Sequence, residues 1–188
     1  MKKYLILVKH SLPEVVETLP ASDWKLSDDG RKRVERLAEQ LRNFEPEVIV
    51  SSEELKAKET AEILSQLLQL EIQVVPDLHE HDRSNVSYLS QGQFQASVRE
   101  FFQKPDELVF GNETADQAHA RYYRATHSVL NEHTNKTIVI VSHGTVISLF
   151  VSRLTGSSDF ELWNMLGLPS FIAMDLHSNT LIVRDHIV

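Results

Sequence analysis

The 188 residues include no cysteine, which excludes a disulfide framework, a thiolate metal site and a cysteine nucleophile. Glycine and proline are scarce, with six of each, and this excludes a collagen-like or low-complexity chain. Positive charge is in deficit. Nineteen Lys and Arg face 27 Asp and Glu, a formal net charge of −8, and such a field repels a phosphate backbone and disfavours nucleic acid as a partner. Long apolar runs are missing too: none approaches the roughly 20 residues of a membrane-spanning helix. The apolar stretch from Tyr4 to Val8, flanked by Lys3 and Lys9, is too short for a signal-peptide core. A cytoplasmic protein with no membrane partner is the default expectation.

What remains is an ordinary globular composition, 41% apolar and 24% charged. At about 100 to 200 residues per domain the chain suits one domain spanning 1–188. Tyr4 to Val8 and Thr137 to Val141 are continuous β-branched and apolar runs, the pattern of strands covered on both faces at the centre of a mostly parallel sheet. Val48 to Val50 and Ile72 to Val75 are shorter strands after helical stretches, and that alternation predicts an α/β fold. Val34, Leu37, Ala38 and Leu41 make a helical stripe between Asp28 and Phe44. Ser51 with Glu54 reads as a capping box ahead of a helix using Ala57, Ala61, Leu64 and Leu68. Thr114 with Gln117 precedes a helix carrying Ala118, Tyr122, Ala125 and Val129, and Ser158 with Glu161 starts another near Trp163. Between Pro76 and Gly111 the pattern weakens to one short helix with Phe94, Val98, Phe101 and Phe102, read as a small insertion at 76–111 over the sheet edge. Phe171 to Leu176 and Thr180 to His186 predict a terminal hairpin turning at His177, Ser178 and Asn179.

Two histidines stand where chemistry is expected. Lys9 and His10 follow the first strand, and Ser142, His143 and Gly144 follow the strand that begins at Thr137. In open α/β sheets ligands bind outside the carboxyl ends of the strands, so these histidines converge if their strands are neighbours. Gly144 allows close backbone approach, and a helix starting near Thr145 aims free N–H groups at an anion, which makes a phosphate site. Taken singly each residue has a plainer reading: a hydrogen-bonded structural histidine, a helix-capping Ser51 or Ser52, a surface Lys56.

Taken together the pieces resemble the histidine phosphatase superfamily, the phosphoglycerate-mutase-like fold. They are Lys9-His10-Ser11 for the family's Arg-His-Gly, the helix start Leu26-Ser27-Asp28-Asp29-Gly30-Arg31, and the block from Ser51-Ser52 through Lys56-Ala57 to Thr60-Ala61. Leu78-His79-Glu80, Gly111-Asn112-Glu113-Thr114 and Val141-Ser142-His143-Gly144 follow in order. Six short motifs in the right sequence are far more specific than any one. The resemblance implies a three-layer α/β sandwich and a phosphomonoesterase without a metal or other cofactor. It makes His10 the nucleophile that becomes a phosphohistidine and His143 a stabiliser of phosphoryl charge. Glu80 becomes the proton donor, with Asp82 as competitor. Lys9, Lys56, Ser11 and Gly144 become the phosphate contacts, and the partner a small phosphorylated molecule or phosphate ion. The two rings are expected face to face and open to solvent.

The departures are informative. Both clamp arginines of the family are lysine here, Lys9 and Lys56, which keeps the attraction and loses the planar fork. A branch with His-Ser-x-Pro, a lysine at the second position and Glu-His after the third strand is closer, leaving Lys9 the main anomaly. The asparagine many members carry six residues past the nucleophile is Val16, and Arg83 or Ser11 is the candidate replacement. Short segments at 12–25 and 76–111 predict an open mouth in which Arg83 and Tyr88 contact substrate, and they disfavour mutase chemistry. Two rival readings stand beside this one: a metallohydrolase built on His79-Glu80-His81-Asp82, and a non-catalytic binding member of the fold.

Overall fold

The computed structural model describes residues 2–176 and 180–186. Six strands form one sheet: β1 (Tyr4–Lys9), β2 (Val48–Ser51), β3 (Ile72–Val74), β4 (Ile138–Ser142), β5 (Ser170–Asp175) and β6 (Thr180–His186). Their order is β3-β2-β4-β1-β5-β6. The first four pair in parallel, and β5 and β6 add an antiparallel edge. As expected, the two most apolar strands are central neighbours, and Thr180 to His186 pairs with β5. The expected turn at His177, Ser178 and Asn179 lies outside the described residues.

The continuous apolar runs are explained by helices on both faces. Ile6 and Val8 of β1 and Val139 and Val141 of β4 point into a core shared with α1 (Asp28–Leu41) and α2 (Leu55–Leu68). The alternate residues Leu5, Leu7, Ile138 and Ile140 point the other way. That second core is filled from α3 (Gln91–Gln103), α4 (Ala115–Glu132), α5 (Gly144–Thr155) and α6 (Asp159–Met165). The result is the expected three-layer α/β sandwich, with period-2 strands between period-3.6 helices. The predicted stripe of α1, Val34, Leu37, Ala38 and Leu41, is entirely buried. In α4, Ala118, Tyr122, Ala125 and Val129 are buried, and Thr114 and Gln117 form the reciprocal capping box. The segment at 76–111 does carry one helix, α3, which buries Val98, Phe101 and Phe102. Among the described residues no helix is long and apolar enough to cross a membrane.

One predicted cap is not made. Helix α2 starts at Leu55 without a side-chain cap, the Ser51 hydroxyl donates to the Ser52 carbonyl at 2.9 Å, and the Glu54 carboxylate turns inward. A buried ammonium is a stronger partner for a carboxylate than a neutral helix N–H, and Lys56 supplies one.

The register sets up the site. Lys9 pairs with Ser142, and Ser51 with Val141, so three adjacent strands end level. His10, His143 and Ser52 then leave the sheet side by side. The His10 N–H donates to the Ser142 carbonyl at 3.0 Å and the Ser52 N–H to the Val141 carbonyl at 2.9 Å, extending both ladders one residue past the strands. Gly30 lets α1 lie against the chain after β1, because a Cβ there would fall 2.1 Å from the Leu12 carbonyl oxygen.

Candidate active site

The imidazoles of His10 and His143 do converge, with ring centroids 5.2 Å apart and planes inclined by 59°. His10 Nδ1 lies 2.8 Å from the Ser11 carbonyl oxygen. A carbonyl only accepts, so Nδ1 carries the proton and Nε2 keeps its lone pair, the tautomer a nucleophile needs. Burial, followed by the charge of Lys56 and the neighbouring His143, holds His10 well below the usual histidine range. It is therefore a free base at neutral pH. His143 Nε2 shares a 2.9 Å hydrogen bond with the Ser52 hydroxyl, while its Nδ1 is buried without a partner. Burial outweighs the nearby Glu54 and pushes His143 down to about 4.

The expectation that both rings open to solvent is not met: His10 is 7% exposed and His143 0%. The cause is Glu54. Its carboxylate forms an ion pair with Lys56, accepts the Glu80 N–H at 2.8 Å and lies 3.7 Å from His143 Nε2. Burial opposes its ionisation, but His143 and Lys56 hold it far below the ordinary carboxylate range. Sequence reasoning assigned this residue to a helix cap. The available signal was a carboxylate two positions before Lys56, directly after a strand end.

Glu80 enters beside the imidazoles. Its Oε2 accepts the Thr145 N–H at 3.2 Å, capping the start of α5, and its Oε1 accepts the His81 N–H at 2.9 Å. Burial again opposes ionisation, yet Arg83 and His143 keep Glu80 below its normal value. Asp82, the competing donor, is committed elsewhere: its Oδ1 accepts from Ser84 and Asn112. The loop carrying Glu80 is gripped by Arg121, a residue sequence reasoning missed because α4 was read only through its apolar stripe. Its guanidinium donates to the carbonyls of Asp77, His79 and Glu80 and pairs with Glu113 at 2.6 Å.

The remaining candidates are distributed unevenly. Lys9 Nζ donates to the Leu166 carbonyl at 2.8 Å, and burial lowers its pKa to about 8. Its chain runs past Gly144, where a Cβ would sit 3.2 Å from Lys9 Cε. Lys56 Nζ donates to the Ala21 carbonyl at 2.8 Å besides meeting Glu54. Ser11 is occupied in holding helices: its hydroxyl donates to the Gly30 carbonyl at 2.7 Å and its N–H to Thr60 Oγ1 at 3.0 Å. Val16, at the expected asparagine position, uses its carbonyl to accept from the Trp24 indole at 3.0 Å.

Above the site lies a cavity of about 870 Å³ walled by the segments 12–24 and 79–94. Glu54 and Glu80 line it, as do Arg83 and Tyr88, but neither His10 nor His143 does. Most of the remaining wall is apolar, from Leu12, Val15, Leu19, Trp24, Val86 and Phe94. The Arg83 guanidinium rests 4.7 Å from the Phe94 ring centroid, with Nη1 buried and unpartnered. The His79-Glu80-His81-Asp82 run does not assemble as the metal reading requires. His81 is packed against Phe101 and Phe110 with centroids at 4.2 and 4.7 Å, and its Nε2 meets the Glu113 carbonyl. Among the described residues no group of three or more His, Asp or Glu is arranged to hold a metal ion.

A family model described as histidine phosphatase superfamily (branch 1) matches residues 5–184. The chain belongs to that superfamily. An uncharacterized phosphatase of Bacillus subtilis is 25% identical over 135 residues, covering 72% of this chain and 67% of its own length. A metal-independent phosphoserine phosphatase of Arabidopsis thaliana is 29% identical over 141 residues, 71% of this chain and 59% of its own. The matched stretch thus spans about two thirds or less of these relatives. Among solved structures, a mycobacterial glucosyl-3-phosphoglycerate phosphatase superposes with a TM-score of 0.74 at 20% identity, covering 99% of this chain and 98% of that one. A phosphoserine phosphatase of Entamoeba histolytica reaches 0.79 at 18% identity, covering 97% and 96%. At such identities these structures speak for the fold alone. The superfamily and the names of its members in these comparisons support a phosphatase.

Proposed function

We propose that this histidine phosphatase superfamily member is a phosphomonoester hydrolase working through a phosphohistidine on His10. The observation that carries the reading is the His10 ring: its Nδ1 proton is fixed on the Ser11 carbonyl, which leaves the Nε2 lone pair free, and a second imidazole lies 5.2 Å away between ring centroids. Nε2 attacks phosphorus as the ester oxygen departs, and a water later displaces the phosphoryl group, so one difficult hydrolysis becomes two displacements. Lys9, the His143 imidazole and the start of α5 at Gly144 stabilise the equatorial oxygens, with Lys56 joining them when it is released from Glu54. Ser11 acts as a positioning residue, setting the His10 carbonyl acceptor and the α2 contact rather than touching phosphate.

Glu80 is the proton carrier. Arg83 and His143 favour its ionised form, but an arriving phosphoryl dianion places negative charge beside it and raises its proton affinity. A proton taken up from solvent as the dianion binds then rests on Glu80 and passes to the departing alkoxide. Arg83 lies on the leaving-group side, and the apolar cavity wall suits a leaving group with substantial hydrocarbon surface. A cytoplasmic enzyme of a single domain spanning 1–188, hydrolysing rather than transferring, completes the reading. Burial of His143 and the pairing of Lys56 also favour a second reading, a fold member that binds phosphate without turnover. Both are tested by assaying 4-nitrophenyl phosphate hydrolysis with and without chelator in the parent, His10→Ala and His143→Ala. Chelator-insensitive turnover that vanishes in His10→Ala is expected, and full activity in that variant excludes the nucleophile.

A further inference from the structure

The Glu54 carboxylate is arranged as an anion bound in an anion site. One oxygen meets the buried ammonium of Lys56, and the other accepts a backbone N–H and approaches the His143 ring at 3.7 Å. The Lys56 side chain is 5% exposed and that of Glu54 12%. An ammonium, an oriented backbone N–H and an imidazole edge are also the donors a phosphoryl oxygen would seek. Glu54 lines the cavity, neither imidazole does, and its carboxylate reaches back to His143. A ligand seated in the cavity therefore lies against this carboxylate, and a dianion brought there is repelled.

We propose that Glu54 is a built-in competitor of the phosphoryl group: its carboxylate occupies the anion position beside Lys56 and His143, and a phosphate must displace it to reach the histidines. This rests on the reading of the imidazole pair as a phosphoryl site. Displacement needs only rotation of the Glu54 side chain toward the cavity that it already lines, which frees Lys56 and uncovers His143 together. The consequence is selectivity. Inorganic phosphate, with no group to fill the apolar cavity, repays the displacement poorly, whereas an ester anchored by its leaving group repays it through contacts elsewhere. Glu54 thus acts as a specificity-determining residue that weakens product binding.

The test is binding of inorganic phosphate by calorimetry at pH 7.5 to the full chain and to Glu54→Gln, Glu54→Asp and Glu53→Gln. Glu53 is exposed, so its variant removes the same formal charge one residue away from the site. Displacement predicts a phosphate Kd at least ten-fold lower in Glu54→Gln and lowered in Glu54→Asp, whose shorter chain cannot span Lys56 and the Glu80 N–H. Glu53→Gln should stay within two-fold of the parent. Adding Lys56→Met to Glu54→Gln should abolish the gain. Should Glu54→Gln fail to fold, the charge-preserving Glu54→Asp decides by the same comparison. Equal or weaker phosphate binding in the Glu54 variants, or an equal gain in Glu53→Gln, overturns the proposal and leaves the phosphoryl site standing. Absence of phosphate binding in every protein overturns both.

Discussion

The floor of the site and its walls are built differently. The floor consists of residues one step beyond three adjacent parallel strands, so its geometry follows from the sheet register, Lys9 against Ser142 and Ser51 against Val141. The walls at 12–24 and 79–94 are mostly irregular chain, running into the first turn of α3, and are pinned by a few hydrogen bonds such as Lys56 to Ala21, Trp24 to Val16 and Arg121 to three carbonyls. A rigid floor fixes which bond is broken. Loosely pinned walls decide which molecule presents that bond, and they tolerate change that the floor does not.

That contrast is sharpest at His10. Replacing it with alanine should lower kcat for 4-nitrophenyl phosphate by about 1,000-fold or more, because the other floor groups, His143 Nε2 and the Ser52 hydroxyl, are engaged with each other. Circular dichroism of the variant should match the parent, and a smaller loss would show that the strand ends do not carry the chemistry. Arg121 tests whether a wall can matter as much as the floor. Arg121→Ala leaves the part-buried Glu113 carboxylate with only the Asp82 N–H and frees the Glu80 loop, so urea unfolding should report a loss of about 2 kcal/mol, with kcat falling as well. A surface-like effect of a few tenths would mean that the loop is held some other way.

The ionisation of the floor gives a further comparison. His143 is held at about 4 in the folded chain against roughly 6.5 when unfolded. Between these values the unfolded state binds more protons, so stability rises with pH. The contribution is full above the unfolded value and lost as pH falls toward 4. Melting temperature should therefore drop between about pH 6.5 and pH 4, and His143→Asn, which cannot titrate there, should flatten the drop. Lys9 behaves differently. With its pKa at about 8 it loses its charge on the alkaline side, so kcat/KM should decline there. Lys9→Arg stays protonated and should retain several-fold more activity than the parent at pH 9. The smallest effect belongs to the walls proper: Tyr88→Ala should raise KM for an aryl phosphate a few-fold with kcat unchanged.

Much of this architecture was legible because it follows from periodicity. The apolar runs of β1 and β4 are buried on both sides, so they could only be central, and the stripe Val34, Leu37, Ala38, Leu41 could only face a core. The positions of His10 and His143 followed from the strand ends, and their convergence from the strands being neighbours. Glu54 was misread because the Ser51–Glu54 spacing satisfies a capping rule. That rule counts residues along the chain and cannot register the ammonium of Lys56 folding back beneath it. Arg121 was silent for a related reason: its partners at residues 77–80 lie some 40 positions away, and no local pattern marks a long-range clamp. The burial of His143 was likewise invisible, since a strand-end position does not specify what packs over it.

The most direct test of the central claim is to mix the protein with a radiolabelled phosphomonoester, stop the reaction in alkali within its first turnover and follow the label. A phosphoenzyme that survives alkali, decays in acid and is missing from His10→Ala is the predicted result. Turnover with no labelled protein, or a label that persists in His10→Ala, would contradict it.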